Sequence, residues 1–243
     1  MEAEWLFMIL LPIVAFLYSS VGHGGASGYL ALMALFSFPV EVMKPTGLLL
    51  NLFVAGIAFY HYWRAGHFKP RLFLFFAGGS VPLAFVGGMI DVGTEIFKIV
   101  LGVFLVFSIL KMLNVFGKDV SHIRPINWAQ GIFVGAVIGF FSGLIGIGGG
   151  IILTPVILMM HWWNMKEAAA VSAVFIWVNS FSGLAGQFQS GINLDANIWG
   201  YVGLAVIGGF LGAYFGSNKL NKKVLRSLLV GVLTLAIVKL IVM

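Results

Sequence analysis

Long apolar runs separated by short polar links dominate the sequence, and they predict an all-α protein. Six of these runs are unbroken: Thr46–Trp63, Arg71–Ile90, Glu95–Val115, Glu167–Gln187, Ala196–Phe215 and Val224–Val242. Each reaches or exceeds the roughly 18 residues that a helix needs to cross a bilayer. The pattern therefore predicts a polytopic membrane protein with three long transmembrane helices in each half of the chain.

Each half also contains an apolar run that glycine interrupts. The first break separates Trp5–Tyr18 from Gly28–Phe38, and the second break separates Trp128–Ser142 from Gly150–Trp162. A glycine inside a helix costs about 1 kcal/mol relative to alanine, so contiguous glycines end a helix. The residues of interest are Gly22, His23, Gly24, Gly25, Ala26 and Ser27 in the first break, and Gly146, Ile147, Gly148, Gly149 and Gly150 in the second.

The two breaks lie 124 positions apart, and the elements around them follow the same order. The sequence therefore predicts an internal duplication, with a first repeat at residues 1–115, a cytoplasmic linker at 116–127 and a second repeat at 128–243. Each repeat would hold one broken element followed by three long helices. Glycines within the long runs are expected to serve close helix packing. They are Gly87, Gly88, Gly208, Gly209 and Gly212.

The distribution of basic residues bears on whether the broken elements cross the membrane. Their flanking pieces, about 10–15 residues each, are only about 15–22 Å long as helices, too short for about 30 Å of hydrocarbon. If both elements return to the side where they start, 11 of the 14 lysines and arginines lie on one side of the membrane and 3 on the other. If both cross, the division is 7 and 7. The positive-inside rule favours re-entrant elements, six crossings and a second repeat inverted relative to the first, with eight crossings as the alternative.

Composition excludes several classes of function. Hydrophobic residues make up 60% of the chain and charged residues 9%, against about 25% charged residues in soluble domains. The net charge of +6 comes from basic residues between the apolar runs, so it does not indicate nucleic-acid binding. The absence of cysteine removes disulfides and thiolate metal sites. We expect a multi-pass protein of a bacterial or archaeal cytoplasmic membrane, in contact with the lipid bilayer and without a cofactor or metal.

The residues that follow each break predict a binding site for a small anion. A helix that restarts after a break exposes unpaired N–H groups and a partial positive charge of about half a unit. Glycines before it let an anion approach the backbone, and in an inverted pair the two N-termini would meet near the midplane. The predicted substrate-binding residues are the glycines of both breaks, His23, Ala26 and Ser27, with Thr46, Asn51, Ser172 and Asn179 as neutral donors.

One position distinguishes the two breaks. His23 lies inside the first break, where Ile147 occupies the matching position of the second. Because histidine titrates near neutral pH, it can relay a proton. We expect protons as a coupling ion, with His23 as the residue that links them to transport.

The second break also carries a resemblance to a known family. The stretch Phe141–Pro155 resembles the signature of the TauE/SafE family of sulfite exporters, and Ser20–Gly28 is similar to that family's N-terminal motif. Lys166–Ser172 resembles the family as well, and the likeness extends to the chain's length and duplication. The resemblance implies a secondary transporter, acting as an exporter, of a small anion such as sulfite, thiosulfate or an organosulfonate.

Other functions have weaker support in the sequence. Gly25–Gly28 fits the GxSG pattern of intramembrane serine proteases, but a serine nucleophile needs a base within hydrogen-bond reach. The histidines other than His23 lie at predicted helix ends or in the linker. Neither break continues into the lysine and serine or threonine of a phosphate-binding loop. We therefore predict no enzyme, and a passive anion channel remains the alternative to a carrier.

Overall fold

Ten α-helices and no strand form the described part of the chain, which is residues 2–20, 25–113, 115, 124–192, 194–216 and 222–242 of a computed structural model. Of the predicted linker, residues 116–123 lie outside this part. The order of elements is the same in the two halves. The helices are α1 (Glu2–Ser20), α2 (Ala26–Leu35), α3 (Val40–Arg64), α4 (Pro70–Met89), α5 (Thr94–Met112), α6 (Trp128–Ile145), α7 (Gly150–Met159), α8 (Met165–Ser190), α9 (Ile198–Gly216) and α10 (Lys222–Val242).

The helices that precede the breaks are longer than the sequence predicted. α1 has 19 residues and α6 has 18, so each is about 27–28 Å long. The predicted length of about 10–15 residues was therefore wrong for these two helices, and α6 is long and apolar enough to cross a membrane. The helices that follow the breaks, α2 and α7, have 10 residues each and reach about 15 Å, half of the hydrocarbon layer.

Local sequence explains where α6 begins and ends. The Asn127 side chain accepts a hydrogen bond from the Gln130 N–H at 2.8 Å, and Gln130 Oε1 accepts one from the Asn127 N–H at 3.4 Å. This reciprocal pair satisfies two backbone donors that the start of a helix leaves free. Gly146 caps the end of α6 with φ of 81°, a left-handed conformation that glycine adopts without steric cost.

The surface of the helix bundle suits contact with lipid. Four helices of the described chain are long and apolar enough to cross a membrane, namely α3, α4, α6 and α8 from Lys166. α5, α9 and α10 have 19, 19 and 21 residues, which corresponds to about 28–32 Å. Large apolar side chains face outward, since Ile99, Phe133, Phe181 and Ile241 are 64–78% exposed. An apolar surface this extensive is typical of a membrane protein.

The broken element of each half packs against the opposite half. α6 lies along α4, and α1 lies along α9. A Cβ atom on Gly87 would overlap the backbone of α6, and one on Gly208 or Gly212 would overlap the backbone of α1. A Cβ atom on Gly88 would overlap Gly183 of α8. The predicted packing role of these four glycines is confirmed, because only a residue without a side chain permits such an approach.

The start and the end of each broken element lie close together. The N–H of Arg124, before α6, donates to the carbonyl oxygen of His161, after α7, at 2.7 Å. In the first half, the Phe7 ring of α1 packs against the rings of Phe36 and Phe38, which follow α2, with centroids 5.8 and 4.7 Å apart. Each broken element therefore returns towards its own start within the bundle.

Candidate functional site

Left-handed glycines set the direction in which each short helix restarts. Gly25 precedes α2 with φ of 73° and ψ of −12°, and Gly149 precedes α7 with φ of 76° and ψ of −17°. Gly148 also has φ of 76°. A residue with a Cβ atom would cost about 1–2 kcal/mol in this conformation. Two glycines that lie 124 positions apart thus have the same backbone conformation and the same structural task.

A cavity of about 40 Å³ lies where the two restarted helices meet. Gly25, Ala26 and Ser27 line it from the start of α2, and Gly150 and Ile151 line it from the start of α7. A single water needs about 10–15 Å³ of such space, so the cavity has room for a few waters or one small ionic group. The first N–H groups of a helix have no acceptor within it and carry the positive end of its dipole, so two helix starts in the wall favour a negatively charged occupant.

Hydroxyl groups add further polar contacts to the wall of the cavity. Tyr18 OH and Ser27 Oγ lie 2.8 Å apart, in hydrogen-bond contact. The Thr154 hydroxyl is a hydrogen-bond donor with two acceptors in reach. Ser172 Oγ lies 2.7 Å from Thr154 Oγ1, and the Gly150 carbonyl oxygen lies 3.2 Å from it. Sequence reasoning included Ser27 and Ser172 but missed Tyr18 and Thr154, because their hydroxyls become relevant only when α1 and α7 pack beside these serines.

Lys111 is the basic residue that sequence reasoning missed. It lies in the last turn of α5, lines the cavity together with Tyr62, and has no hydrogen-bond or ion-pair partner among the described residues. In the sequence it is one of the 11 basic residues assigned to one side of the membrane. No sequence signal marks it, because its place depends on how α5 packs against the two breaks.

The cavity is closed at the breaks and more accessible at its other end. Ser27 and Ser172 are 1% and 4% exposed, whereas Ala58, Tyr62, Lys111 and Ala169 are half-buried. This accessible end lies near the end of α3 and the start of α8. The cavity therefore opens towards the end of the bundle where the Lys69 ammonium pairs with the Glu167 carboxylate at 3.3 Å.

The other predicted ligands that the structure describes lie outside the cavity. Gly22, His23 and Gly24 lie outside the described residues. Asn51 and Asn179 are fully buried, but Asn51 Nδ2 donates to the Ile147 carbonyl oxygen at 3.3 Å and Asn179 Nδ2 donates to the Phe175 carbonyl oxygen at 2.9 Å. The following predicted ligands do not line the cavity: Thr46, Asn51, Gly146, Gly148, Gly149 and Asn179.

The groups that line the cavity can bind a small anion. The Ser27 hydroxyl contacts Tyr18, and none of the described histidines lines the cavity. Among the described residues, no cluster of three or more His, Cys, Asp or Glu side chains is arranged to hold a metal ion. The cavity offers hydrogen-bond donors and one cation, which is the set of groups that an oxyanion requires.

An all-helical bundle with an apolar surface and a small cavity between two broken helices has the features of a membrane transporter. Comparison with known proteins agrees. The chain matches the family described as sulfite exporter TauE/SafE over residues 7–240, and it belongs to that family.

Similar proteins from three organisms carry the same general description, probable membrane transporter protein. The protein y4hK of Sinorhizobium fredii is 35% identical over 224 residues, which is 89% of this chain and 90% of that protein. MJ0441 of Methanocaldococcus jannaschii is 28% identical, over 83% of this chain and 79% of that protein. YunE of Bacillus subtilis is 24% identical, over 82% and 78%. No solved structure matches the chain. The protein is a multi-pass integral membrane protein of a transporter family.

Proposed function

We propose that the protein is a secondary transporter that exports a small anion, with sulfite, thiosulfate or an organosulfonate as the substrate. One observation carries the proposal: two helix N-termini, several hydroxyl groups and the unpaired Lys111 line the same small cavity. The membership of the chain in a family named for sulfite export supports a sulfur anion as the substrate.

An anion that enters this cavity must exchange its hydration for contacts with protein. Backbone N–H groups at the starts of α2 and α7 would donate hydrogen bonds to it, and the two helix dipoles add a partial positive charge of about half a unit each. Ser27 and Ser172 would supply hydroxyl contacts, and Lys111 in its protonated form would supply a charged donor at the accessible end of the cavity. The helix N-termini contribute fixed partial charges, so they stabilise an anion without further ionised side chains in the site.

The proposal includes two inverted repeats whose broken elements are re-entrant. The hydrogen bond between Arg124 and His161 supports a second element that returns to its starting side. The ion pair between Lys69 and Glu167 supports the same arrangement, because a crossing element would put the start of α8 on the side opposite to the loop between α3 and α4. The equal backbone conformations of Gly25 and Gly149 support a duplication, with repeats at 1–115 and 128–243.

The accessible end of the cavity bears on the direction of transport. In the proposed topology this end is cytoplasmic, since Arg64, Lys69 and Lys166 lie there. An anion from the cytoplasm would then enter past Tyr62 and Lys111 to reach the breaks. Rocking of one repeat against the other would expose the anion to the opposite side.

A flux assay in proteoliposomes tests the proposed function. We expect saturable efflux of sulfite, thiosulfate or sulfoacetate, with a rate that depends on an imposed ion gradient. Liposomes that contain the Gly148→Leu variant are the matched control. Flux that rises linearly with substrate concentration and does not depend on any imposed ion gradient would indicate a passive channel. The absence of flux for all these anions would contradict a sulfur-anion transporter.

The role of His23 in proton coupling is tested separately. If His23 relays protons, His23→Ala should flatten the pH dependence of flux, because alanine does not titrate near neutral pH. The measurement is the initial rate of flux at a series of pH values, with His67→Ala as the control outside the breaks. An unchanged pH profile in His23→Ala would rule out the coupling role.

The topology is testable by cysteine labelling, for which the chain is suited because it contains no cysteine. Cysteines introduced at Arg124 and Lys166 should react with a membrane-impermeant maleimide from the same side of the membrane. A cysteine at Asn197 should react from the other side. Labelling of the positions 124 and 166 from opposite sides would show that the second broken element crosses the membrane.

A further inference from the structure

Several buried oxygen atoms near the second break have no hydrogen-bond partner within the described protein. They are Asn51 Oδ1, Ser142 Oγ, Asn179 Oδ1 and Ser180 Oγ, and their side chains are at most 1% exposed. None of these side chains lines the cavity of the proposed anion site. Because buried polar atoms in folded proteins are normally paired, a group of unpaired ones calls for a physical explanation.

The side chains of Asn51 and Ser180 meet at the unwound backbone of the second break. A Cβ atom on Gly148 would lie 2.8 Å from Asn51 Nδ2 and 3.2 Å from Ser180 Oγ. Asn51 comes from α3 and Ser180 from α8, so the two helices enclose Gly148. Because Asn51 Nδ2 already donates to the Ile147 carbonyl oxygen, the unpaired atom of this amide is an acceptor.

The other two side chains lie on the faces that enclose the same segment. A Cβ atom on Gly149 would lie 3.4 Å from Ser142 Cβ, which places Ser142 against the break from the α6 side. Asn179 follows Ile176 by three residues and precedes Gly183 by four, so it lies on the same face of α8 as both. Ile176 contacts Gly148 and Gly150, and Gly183 contacts Gly143 of α6. The amide of Asn179 also uses its Nδ2 as a donor, which leaves its oxygen unpaired.

The electrostatics of this region favour a cation. α6 ends at the break, and a helix C-terminus carries a partial negative charge of about half a unit and carbonyl groups without helical partners. The unpaired atoms are two amide oxygens and two hydroxyls, all on uncharged groups. Neutral oxygens at the end of an interrupted helix are the ligands with which transporters bind sodium, whereas divalent sites draw on carboxylates.

We infer that the second break holds a sodium ion between Asn51, Asn179, Ser180 and the C-terminal end of α6, and that this ion is coupled to anion transport. The inference rests on the proposed function. The physical link is the break itself, since Gly148 lies beside the cation ligands while Gly150, two residues on, lines the anion cavity. A cation that fixes the conformation of Gly148 also fixes the start of α7, which is half of the anion site.

Ser180→Ala distinguishes a ligand from a structural side chain. If the hydroxyl is merely unpaired, its removal leaves stability unchanged or raises it, because a buried unsatisfied group is lost. If the hydroxyl binds sodium, its removal raises the sodium concentration at which the increase in Tm is half-maximal, by about fivefold or more. Ser182→Ala is the matched control, because Ser182 Oγ lies on the same helix and donates to the Val81 carbonyl oxygen at 2.6 Å. Its sodium dependence should equal that of the wild type.

Two measurements test the inference. In the first, thermal unfolding of the purified protein without any substrate is compared in sodium chloride and choline chloride of equal concentration, where sodium should raise the Tm of the wild type. In the second, anion flux in proteoliposomes at equal pH on both sides should respond to a sodium gradient. Equal Tm and equal flux in the two salts would overturn the sodium site while leaving the anion transporter intact. A sodium effect on Tm without flux of any anion would contradict the proposed function and leave the sodium site standing.

Discussion

Replacing Gly148 with leucine is expected to lower the initial rate of anion flux at least about tenfold. The left-handed φ of 76° at Gly148 costs about 1–2 kcal/mol for a residue with a Cβ atom. Contacts of 2.8 Å from that Cβ atom to Asn51 Nδ2 and Ile176 Cγ2 add the cost of overpacking, about 1–3 kcal/mol. Since about 1.4 kcal/mol corresponds to a factor of ten, a displaced start of α7 should reduce binding and transport by at least that factor.

The control for this variant is a glycine with open space around it. A Cβ atom on Gly203 of α9 would meet nothing within 4 Å, so Gly203→Leu should retain the flux of the wild type. Size-exclusion elution and thermal unfolding show whether Gly148→Leu still folds. Wild-type flux from a folded Gly148→Leu protein would contradict the assignment of the second break to the transport site.

Replacing Lys111 with glutamine is expected to raise the anion concentration for half-maximal flux about 10- to 150-fold. Glutamine keeps much of the length of the side chain but removes the positive charge from a cavity whose other groups are neutral. A hydrogen bond to a charged group contributes about 1.5–3 kcal/mol, which corresponds to this range of affinity. The maximal rate should change less than the half-saturating concentration if Lys111 serves mainly to bind the anion.

Two further variants separate charge from structure at Lys111. Lys111→Arg should preserve most of the affinity, because it keeps the positive charge and the hydrogen-bond donors. Lys98→Gln removes a charge from the same helix, where Lys98 pairs with Glu95 at 3.7 Å, and it should leave the half-saturating concentration unchanged. If Lys111→Gln and Lys98→Gln behave alike, Lys111 has no specific role in anion binding.

The apolar pattern predicted most of the fold because a membrane protein must satisfy its backbone within each helix. Six unbroken runs became α3, α4, α5, α8, α9 and α10, and each glycine-rich run became a pair of helices. The lengths of α1 and α6 were predicted too short. In α6 the apolar side chains of Leu144 and Ile145 allow the helix to continue to the left-handed Gly146.

The candidate site was predicted in part. The runs of contiguous glycine pointed to Gly25 and Gly150, which line the cavity, because such runs permit the left-handed turns that restart a helix. Ser27 and Ser172 were chosen as neutral donors, and both line the cavity. Asn51 and Asn179 were chosen on the same grounds, but neither side chain lines the cavity.

The sequence by itself therefore determined the class of protein, the order of the helices and the positions of the two breaks. These follow from local rules: the length of apolar runs, the periodicity of the helix and the conformational freedom of glycine. Only the tertiary structure decided that Lys111 and Tyr62 share a cavity with the starts of α2 and α7. The physical reason is that the period of a helix fixes which residues share its face, whereas packing decides which neighbouring helix that face meets.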